Sequence, residues 1–221
     1  MSNVPAVTRN LIIINVLAFV ATLINQNLMT RWFGLFYPTS QMFRVWQPLT
    51  YMFVHGGWLH ILFNMYTLYI FGCVVEQIIG QKKFLTLYLI CGLGAAACQI
   101  GVQAIEAASY ANGIALGSQQ AISNYALLKM TPTVGASGAI YGVLLAYAML
   151  FPDSKLTLFF PPVTLSAKWM VIVFAGLELL TGMTGTGAGI AHFAHLGGML
   201  FGYGLIKYWK AKGVLFNREN F

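Results

Sequence analysis

A series of long apolar runs, of which the fifth is the shortest, limits the possible folds of this chain more than any other feature. A spanning helix needs about 20 consecutive, mostly apolar residues. Charged residues make up 8% of the 221 residues, whereas a soluble domain carries about 25%. The sequence therefore predicts an all-α, multi-pass integral membrane protein that has the lipid bilayer as its solvent. Its six predicted spans are residues 11–27, 58–79, 84–103, 134–151, 169–183 and 190–209.

The basic residues predict the orientation of this six-helix bundle. Lysine and arginine collect on the cytoplasmic side of membrane proteins. Of the twelve in this chain, nine fall on one side of the predicted spans, so both termini are expected to be cytoplasmic. Residues 1–10 then form a short N-terminal segment, 11–209 the six-helix domain and 210–221 a cytoplasmic tail. The first run has no signal-peptide cleavage pattern, so a retained signal anchor is expected.

Charge and cysteine content argue against several classes of protein. The net charge is +7, but no basic groove with interleaved aromatic residues accompanies it, so no nucleic-acid partner is expected. The three cysteines lie within predicted spans, which argues against a disulfide framework. His192 and His195 are three residues apart, yet no HExxH motif or accompanying carboxylate is present. Neither a metal nor another cofactor is therefore expected, and His192 is predicted to be an interfacial residue.

Four polar residues are predicted to lie at one depth in the bilayer. The second, fourth and sixth spans run in the same direction. At 1.5 Å per residue, His60, Asn64, Ser137 and His195 fall roughly 5–11 Å below the outer interface. Polar groups inside a bilayer are costly and mark candidate functional sites. His60 and Asn64 are four residues apart and share a helix face, as do Ser137 and Tyr141.

Glycines on two of these spans predict a close helix crossing. Gly138 and Gly142 on the fourth span, and Gly198 and Gly202 on the sixth, form small-xxx-small pairs. Such pairs let two helix backbones approach closely. We expect the crossing to bring the serine hydroxyl beside the imidazole of the sixth span. The alternative is that Ser137 is simply a small residue at a helix crossing.

The chemistry of these side chains is typical of a serine hydrolase. A serine hydroxyl becomes a strong nucleophile when a base takes its proton, and His195 is the best candidate because imidazole titrates near neutral pH. His60, Asn64 and the backbone N–H of Ser137 are candidate donors to an oxyanion, although His60 and Asn64 also fit an interhelical hydrogen bond. No acidic residue falls at this depth near His195. A serine–histidine dyad is therefore predicted, with Tyr141 packed against the imidazole.

Three segments, in this order, resemble the rhomboid family of intramembrane serine proteases. They are residues 55–64 (HGGWLHILFN), 135–142 (GASGAIYG) and 194–198 (AHLGG), the last followed by Gly202. The resemblance covers residues 45–205 and implies a six-helix rhomboid-like bundle.

The resemblance implies a role for each matched side chain. Ser137 would be the nucleophile and His195 the general base, with His60 and Asn64 in the oxyanion hole. The other matched residues would support them: His55, Tyr141, Gly135, Gly138, Gly198 and Gly202.

The first outer loop departs from the family pattern. Many members carry a tryptophan–arginine pair there, whereas this chain has Trp46 followed by Gln47. Either Gln47 replaces that arginine, or Arg44 takes over its role.

The resemblance implies cleavage of transmembrane segments of single-span or multi-span membrane proteins, near their extracytoplasmic ends. A non-catalytic membrane chaperone or trafficking factor of the same fold is the alternative, and a transporter is a third possibility. Short loops and the lack of a transit peptide favour a prokaryotic plasma membrane as the location.

Three further features carry smaller predictions. Glu178, within the fifth span, is expected to hydrogen-bond a neighbouring helix or to extend its carboxylate to the membrane interface, and a role in a proton pathway is the alternative. The glycine-rich loop 181–189 is a candidate lid. The long connection 104–132 is expected to contain a short interfacial helix.

Overall fold

The computed structural model of the chain describes residues 4–158, 162–184 and 192–216. Its first half holds α1 (Ala6–Ile24), α2 (Gln26–Phe33), α3 (Gln47–Thr50), a 3-10 turn (Tyr51–Phe53), α4 (Trp58–Thr67), a π-helical turn (Leu68–Gly72) and α5 (Cys73–Ile79). Its second half holds α6 (Gln81–Ala115), α7 (Gln119–Met130), α8 (Ser137–Leu150), β1 (Lys155–Leu158), β2 (Val163–Ser166), α9 (Ala167–Thr184) and α10 (His192–Ala211).

Three helices, α6, α8 and α10, form the centre of the bundle and touch one another through small residues. A Cβ atom placed on Gly142 of α8 would lie 2.6 Å from the Cβ of Cys91 on α6. A Cβ atom placed on Gly202 of α10 would lie 3.1 Å from the Cα of Gly142. The close crossing predicted from the glycines of α8 and α10 is therefore present, and α6 joins it through its own small side chains.

Each predicted span overlaps a helix of the structure, but the lengths differ. Among the described residues, four helical segments are long and apolar enough to cross a membrane: α1, the continuous run Trp58–Ile79, α6 and α9. Helix α8 has 14 residues and is about 21 Å long, which is shorter than a hydrocarbon core of about 30 Å. The count of six spans and the side on which the termini lie remain predictions.

Two connections depart from the prediction. Helix α6 continues to Ala115, well beyond the predicted end of its span, and α7 then provides the short helix expected in that connection. The hydroxyl of Ser118 caps α7 by accepting a hydrogen bond from the N–H of Ala121 at 3.3 Å. Between α8 and α9, β1 and β2 form an antiparallel hairpin in which Lys155 pairs with Ser166. The fold is therefore mostly helical rather than strictly all-α.

Gln47 anchors the first loop. Its side chain is fully buried, and its amide nitrogen donates to the carbonyl oxygens of Met42 at 2.9 Å and Arg31 at 3.3 Å. Its amide oxygen accepts from the backbone N–H of Phe36 at 3.3 Å. The guanidinium of Arg44 instead donates to backbone carbonyls of the turn before it. Gln47 therefore connects this loop to the end of α2. Arg44 makes no such connection through the hydrogen bonds described for it.

Helix α9 has the least buried surface of the four candidate spans. Only 17% of the 18 residues of α9 are buried, against 39% of the residues in an apolar 18-residue stretch of α6. Large side chains on its outer face, such as those of Ile172 and Leu180, are exposed, as lipid contact requires. The buried residues of α9 are Ala167, Met170, Val171 and Glu178, and Glu178, which is 9% exposed, is the acidic side chain among them.

Candidate active site

Ser137 is the first residue of α8. The chain enters this helix through Gly135, which has a φ of +122° that favours glycine and donates its N–H to the carbonyl of Tyr51 at 2.9 Å. The Oγ atom of Ser137 lies 2.7 Å from Nε2 of His195, within hydrogen-bonding distance. The side chains of Ser137 and His195, which the sequence predicts to lie side by side, are therefore in contact in the structure.

The contact between α8 and α10 sets this distance. A Cβ atom placed on Gly198 would lie 1.8 Å from the carbonyl oxygen of Gly138, so no side chain fits between the two backbones. Gly138 directly follows Ser137, and Gly198 lies three residues after His195. The close crossing of α8 and α10 at Gly138 and Gly198 therefore also holds the hydroxyl of Ser137 next to the imidazole of His195.

Tyr141 packs flat against the imidazole, as predicted. The rings of Tyr141 and His195 are 4.3 Å apart between centroids, with an interplanar angle of 4°. Tyr141 lies one turn after Ser137 on α8, so the helix that carries the hydroxyl also carries the ring that fixes the plane of the imidazole.

Glu178 of α9 contacts the other ring nitrogen of His195. Its Oε1 lies 2.9 Å from Nδ1 of His195 and accepts a hydrogen bond from the hydroxyl of Tyr141 at 2.6 Å. Its Oε2 lies 2.6 Å from Nδ1 of His192. The prediction that Glu178 hydrogen-bonds a neighbouring helix is therefore confirmed.

The prediction that no acidic residue lies near His195 is wrong. That prediction rests on depths along the second, fourth and sixth spans, which share a direction. Helix α9 runs the opposite way and brings Glu178, from its C-terminal half, to the level of the imidazole. The available signal was an ionisable residue in an otherwise apolar helix, which marks a functional site by default.

His192 belongs to this group rather than to an isolated interfacial position. Besides its contact with Glu178, its Nδ1 lies 3.1 Å from the hydroxyl of Thr181. Within the described ranges, no group of three His, Cys, Asp or Glu side chains is arranged to hold a metal ion. Residues 181–184 of the candidate lid form the last turn of α9, and 185–189 lie outside the described residues.

His60 and Asn64 of α4 line the same cavity as the serine. A Cβ atom placed on Gly135 would lie 2.6 Å from Nε2 of His60, so this ring reaches the segment that leads into α8. The N–H of Gly56 donates to Nδ1 of His60 at 3.4 Å, which in a neutral imidazole leaves the proton on Nε2. The side-chain nitrogen of Asn64 donates one of its two hydrogens to the carbonyl of His60 at 3.0 Å.

His55 supports His60 from behind. Its side chain is fully buried, and its ring packs edge-on against that of His60 at a centroid distance of 5.0 Å. Burial, and to a lesser degree the neighbouring His60, lowers the pKa of His55 to about 4. His55 is therefore an uncharged packing partner at neutral pH.

One cavity of about 1020 Å³ joins these groups. Residues of α4, α6, α7, α8, α9 and α10 line it, and polar side chains extend from the serine along α6. A cavity of this size with several hydrogen-bonding groups can hold water and an extended peptide segment. Its polar lining includes His60, Asn64, Gln99, Gln103, Ser137 and His195.

The fold and the site together define a class of protein: a bundle of apolar helices that holds a serine hydroxyl and an imidazole in contact inside a polar cavity. Residues 42–211 match the Rhomboid domain family. The chain therefore belongs to the rhomboid family.

Relatives in this family include both mitochondrial and bacterial proteins. The chain is 31% identical over 169 residues to the presenilin-associated rhomboid-like protein, mitochondrial, of Rattus norvegicus, covering 74% of this chain and 39% of that protein. It is 26% identical over 170 residues to Rhomboid protein 1, mitochondrial, of Saccharomyces cerevisiae, covering 76% and 42%. It is 26% identical over 164 residues to Rhomboid protease AarA of Providencia stuartii, covering 71% and 53%.

Two facts follow from these relatives. The matched segment spans about half or less of each relative's length. The prediction of a prokaryotic plasma membrane is contradicted, because the relatives from the rat and from yeast are both named as mitochondrial proteins.

Proposed function

We propose that this chain is an intramembrane serine endopeptidase that cleaves transmembrane segments of single-span or multi-span membrane proteins. The observation that carries the proposal is the 2.7 Å distance between Oγ of Ser137 and Nε2 of His195 inside the polar cavity. A relative is named a rhomboid protease, which favours the same class of reaction.

The proposed reaction is acyl transfer through the serine. His195 takes the proton of the Ser137 hydroxyl as its oxygen attacks a substrate carbonyl, and then gives that proton to the leaving amine. Water entering through the cavity hydrolyses the acyl-enzyme and frees the serine.

The negative charge that develops on the substrate carbonyl oxygen needs hydrogen-bond donors. Ser137 begins α8, so the first N–H groups of this helix have no intrahelical partner and carry partial positive charge. The Nε2–H of His60 and the remaining amide hydrogen of Asn64 are the side-chain donors in this proposal. An oxyanion hole of this kind contributes roughly 10²–10³-fold in rate for each good donor.

The proposed placement in the membrane follows from the length of α8. In this proposal six helices cross the bilayer, both termini lie on one side, and the serine lies below the opposite membrane surface. The length of α8 supports this placement, because a helix of about 21 Å that starts at the serine is shorter than a hydrocarbon core of about 30 Å. A substrate helix has its backbone groups satisfied internally, so its segment at the serine has to unwind before a carbonyl is exposed. We therefore expect helix-breaking residues near the cleavage site.

The test is proteolysis by the purified chain in lipid vesicles. Wild type and Ser137→Ala are incubated with a single-span model substrate, with Ser123→Ala as the matched control because Ser123 is an exposed serine on α7. We expect cleavage by the wild type and the control and none by Ser137→Ala. Cleavage by Ser137→Ala would refute the proposal.

A fluorophosphonate probe provides an independent measurement. It should label Ser137 in the wild type and fail to label the His195→Ala variant, because the hydroxyl then has no base. If the wild-type protein folds but neither cleaves the substrate nor reacts with the probe, a non-catalytic chaperone or a transporter would be favoured instead.

A further inference from the structure

We propose that Glu178 positions the imidazole of His195 and completes a Ser137–His195–Glu178 catalytic group. This inference rests on the proposed function. It extends the predicted dyad by a carboxylate from a third helix.

The geometry places the three side chains in a continuous chain of hydrogen bonds. Ser137 Oγ is 2.7 Å from Nε2 of His195, and Nδ1 of the same ring is 2.9 Å from Oε1 of Glu178. A carboxylate accepts but does not donate, so Nδ1 carries the proton in this contact. The lone pair of Nε2 therefore faces the serine hydroxyl, which is the tautomer a general base requires.

Two further groups hold the carboxylate in place. The hydroxyl of Tyr141 donates to Oε1 at 2.6 Å, and Nδ1 of His192 lies 2.6 Å from Oε2. Glu178, taken as a whole residue, is 9% exposed. Its orientation is thus set from α8 and α10 at once, which distinguishes it from a solvated surface acid.

The carboxylate also supplies charge where the reaction needs it. When His195 takes the serine proton it becomes an imidazolium, and a negative group in contact with it stabilises that state. The contact lies in a largely buried site, where such an interaction is stronger than in water.

The position of Glu178 on α9 adds a structural consequence. The nucleophile and the base belong to α8 and α10, which are locked together by glycines, whereas the carboxylate belongs to the least buried candidate span. The Glu178–His195 contact therefore forms only when α9 is packed against α10. The packing of α9 against α10 and the correct imidazole tautomer are thus coupled through one hydrogen bond.

The experiment compares Glu178→Gln and Glu178→Asp with the wild type in the full-length chain. The matched control is Asp153→Asn, which removes a carboxylate from an exposed ion pair with Lys168. For each protein the cleavage kcat and KM are measured, together with the rate and the end point of fluorophosphonate labelling at Ser137.

A positioning role predicts a specific pattern. Glu178→Gln keeps the shape but loses the charge, so kcat and the labelling rate should fall roughly 100- to 10,000-fold. KM and the labelling end point should not change, because the folded fraction and the cavity are retained. Glu178→Asp should recover part of the rate, and Asp153→Asn should match the wild type.

The remaining outcomes each overturn a different statement. If Glu178→Gln labels and cleaves at the wild-type rate, the positioning role is refuted while the proposed function stands. A lowered end point with an unchanged rate for the labelled fraction shows that Glu178 is structural, which also refutes the inference. A wild type that neither cleaves nor labels refutes the proposed function, and the inference with it.

Discussion

The backbone contact between α8 and α10 makes Gly198→Ala the sharpest perturbation of this site. The added Cβ would lie 1.8 Å from the carbonyl oxygen of Gly138, whereas an ordinary carbon–oxygen contact is about 3.3 Å. The obstacle is main chain, which cannot rotate away as a flexible side chain can. The helices therefore have to separate by about 1.5 Å at this point.

This separation acts directly on the reacting groups. It would lengthen the 2.7 Å distance between Ser137 and His195 to roughly 4 Å, beyond the reach of a general base. A misplacement of about 1 Å costs on the order of 100-fold in rate, and overpacking of this kind costs roughly 1–3 kcal/mol in stability. We expect Gly198→Ala to lower the cleavage rate at least 100-fold and to lower the thermal unfolding midpoint.

The assay is substrate cleavage in vesicles combined with thermal unfolding in detergent. Gly204→Ala is the matched control, because Gly204 lies on the same helix and a Cβ there would meet nothing within 4 Å. Alanine favours helix over glycine by roughly 1 kcal/mol, so the control should be as stable as the wild type or more so. Wild-type cleavage and stability in Gly198→Ala would show that this crossing does not set the site geometry.

Two other predictions concern the support of the site. Gln47→Ala should lower the free energy of unfolding by roughly 1–3 kcal/mol, since it removes the partner of the buried N–H of Phe36 and of two partly buried carbonyl groups. Denaturant unfolding checks this, and an equal loss in the exposed Gln41→Ala control would contradict it. For His55, a folded-state pKa of about 4 lies below the unfolded value near 6.5. The unfolded state therefore binds more protons between pH 6.5 and 4, and stability should fall by a few kcal/mol as pH drops through that window. His55→Asn should flatten this fall in thermal midpoints, and an unchanged pH dependence would refute the assignment.

Part of the site was predictable because it depends on spacing within single helices. The four-residue interval between His60 and Asn64 and the glycine spacing on α8 and α10 fix which side chains share a face. The direction of the spans then gave one depth for the serine and the histidine. These inferences need only the helical repeat and the thickness of the bilayer.

Other parts depended on how separate segments meet. Nothing in the spacing around Gln47 shows that its amide would bind three backbone groups, because those groups come from different parts of the first loop. The hairpin between α8 and α9 likewise depends on the pairing of β1 with β2. Neither of these short segments predicts a strand without the other.

The amino-acid pattern alone is enough to predict a helical protein of the membrane type and the faces of three helices that carry polar groups. The contact between Glu178 and His195, which are 17 residues apart on helices of opposite direction, is visible only in the packed bundle. The physical reason is that periodicity defines the faces of a helix, but leaves its rotation and depth relative to its neighbours free. Those two variables are set by side-chain packing across the whole bundle, and a hydrogen bond depends on them to within a fraction of an ångström.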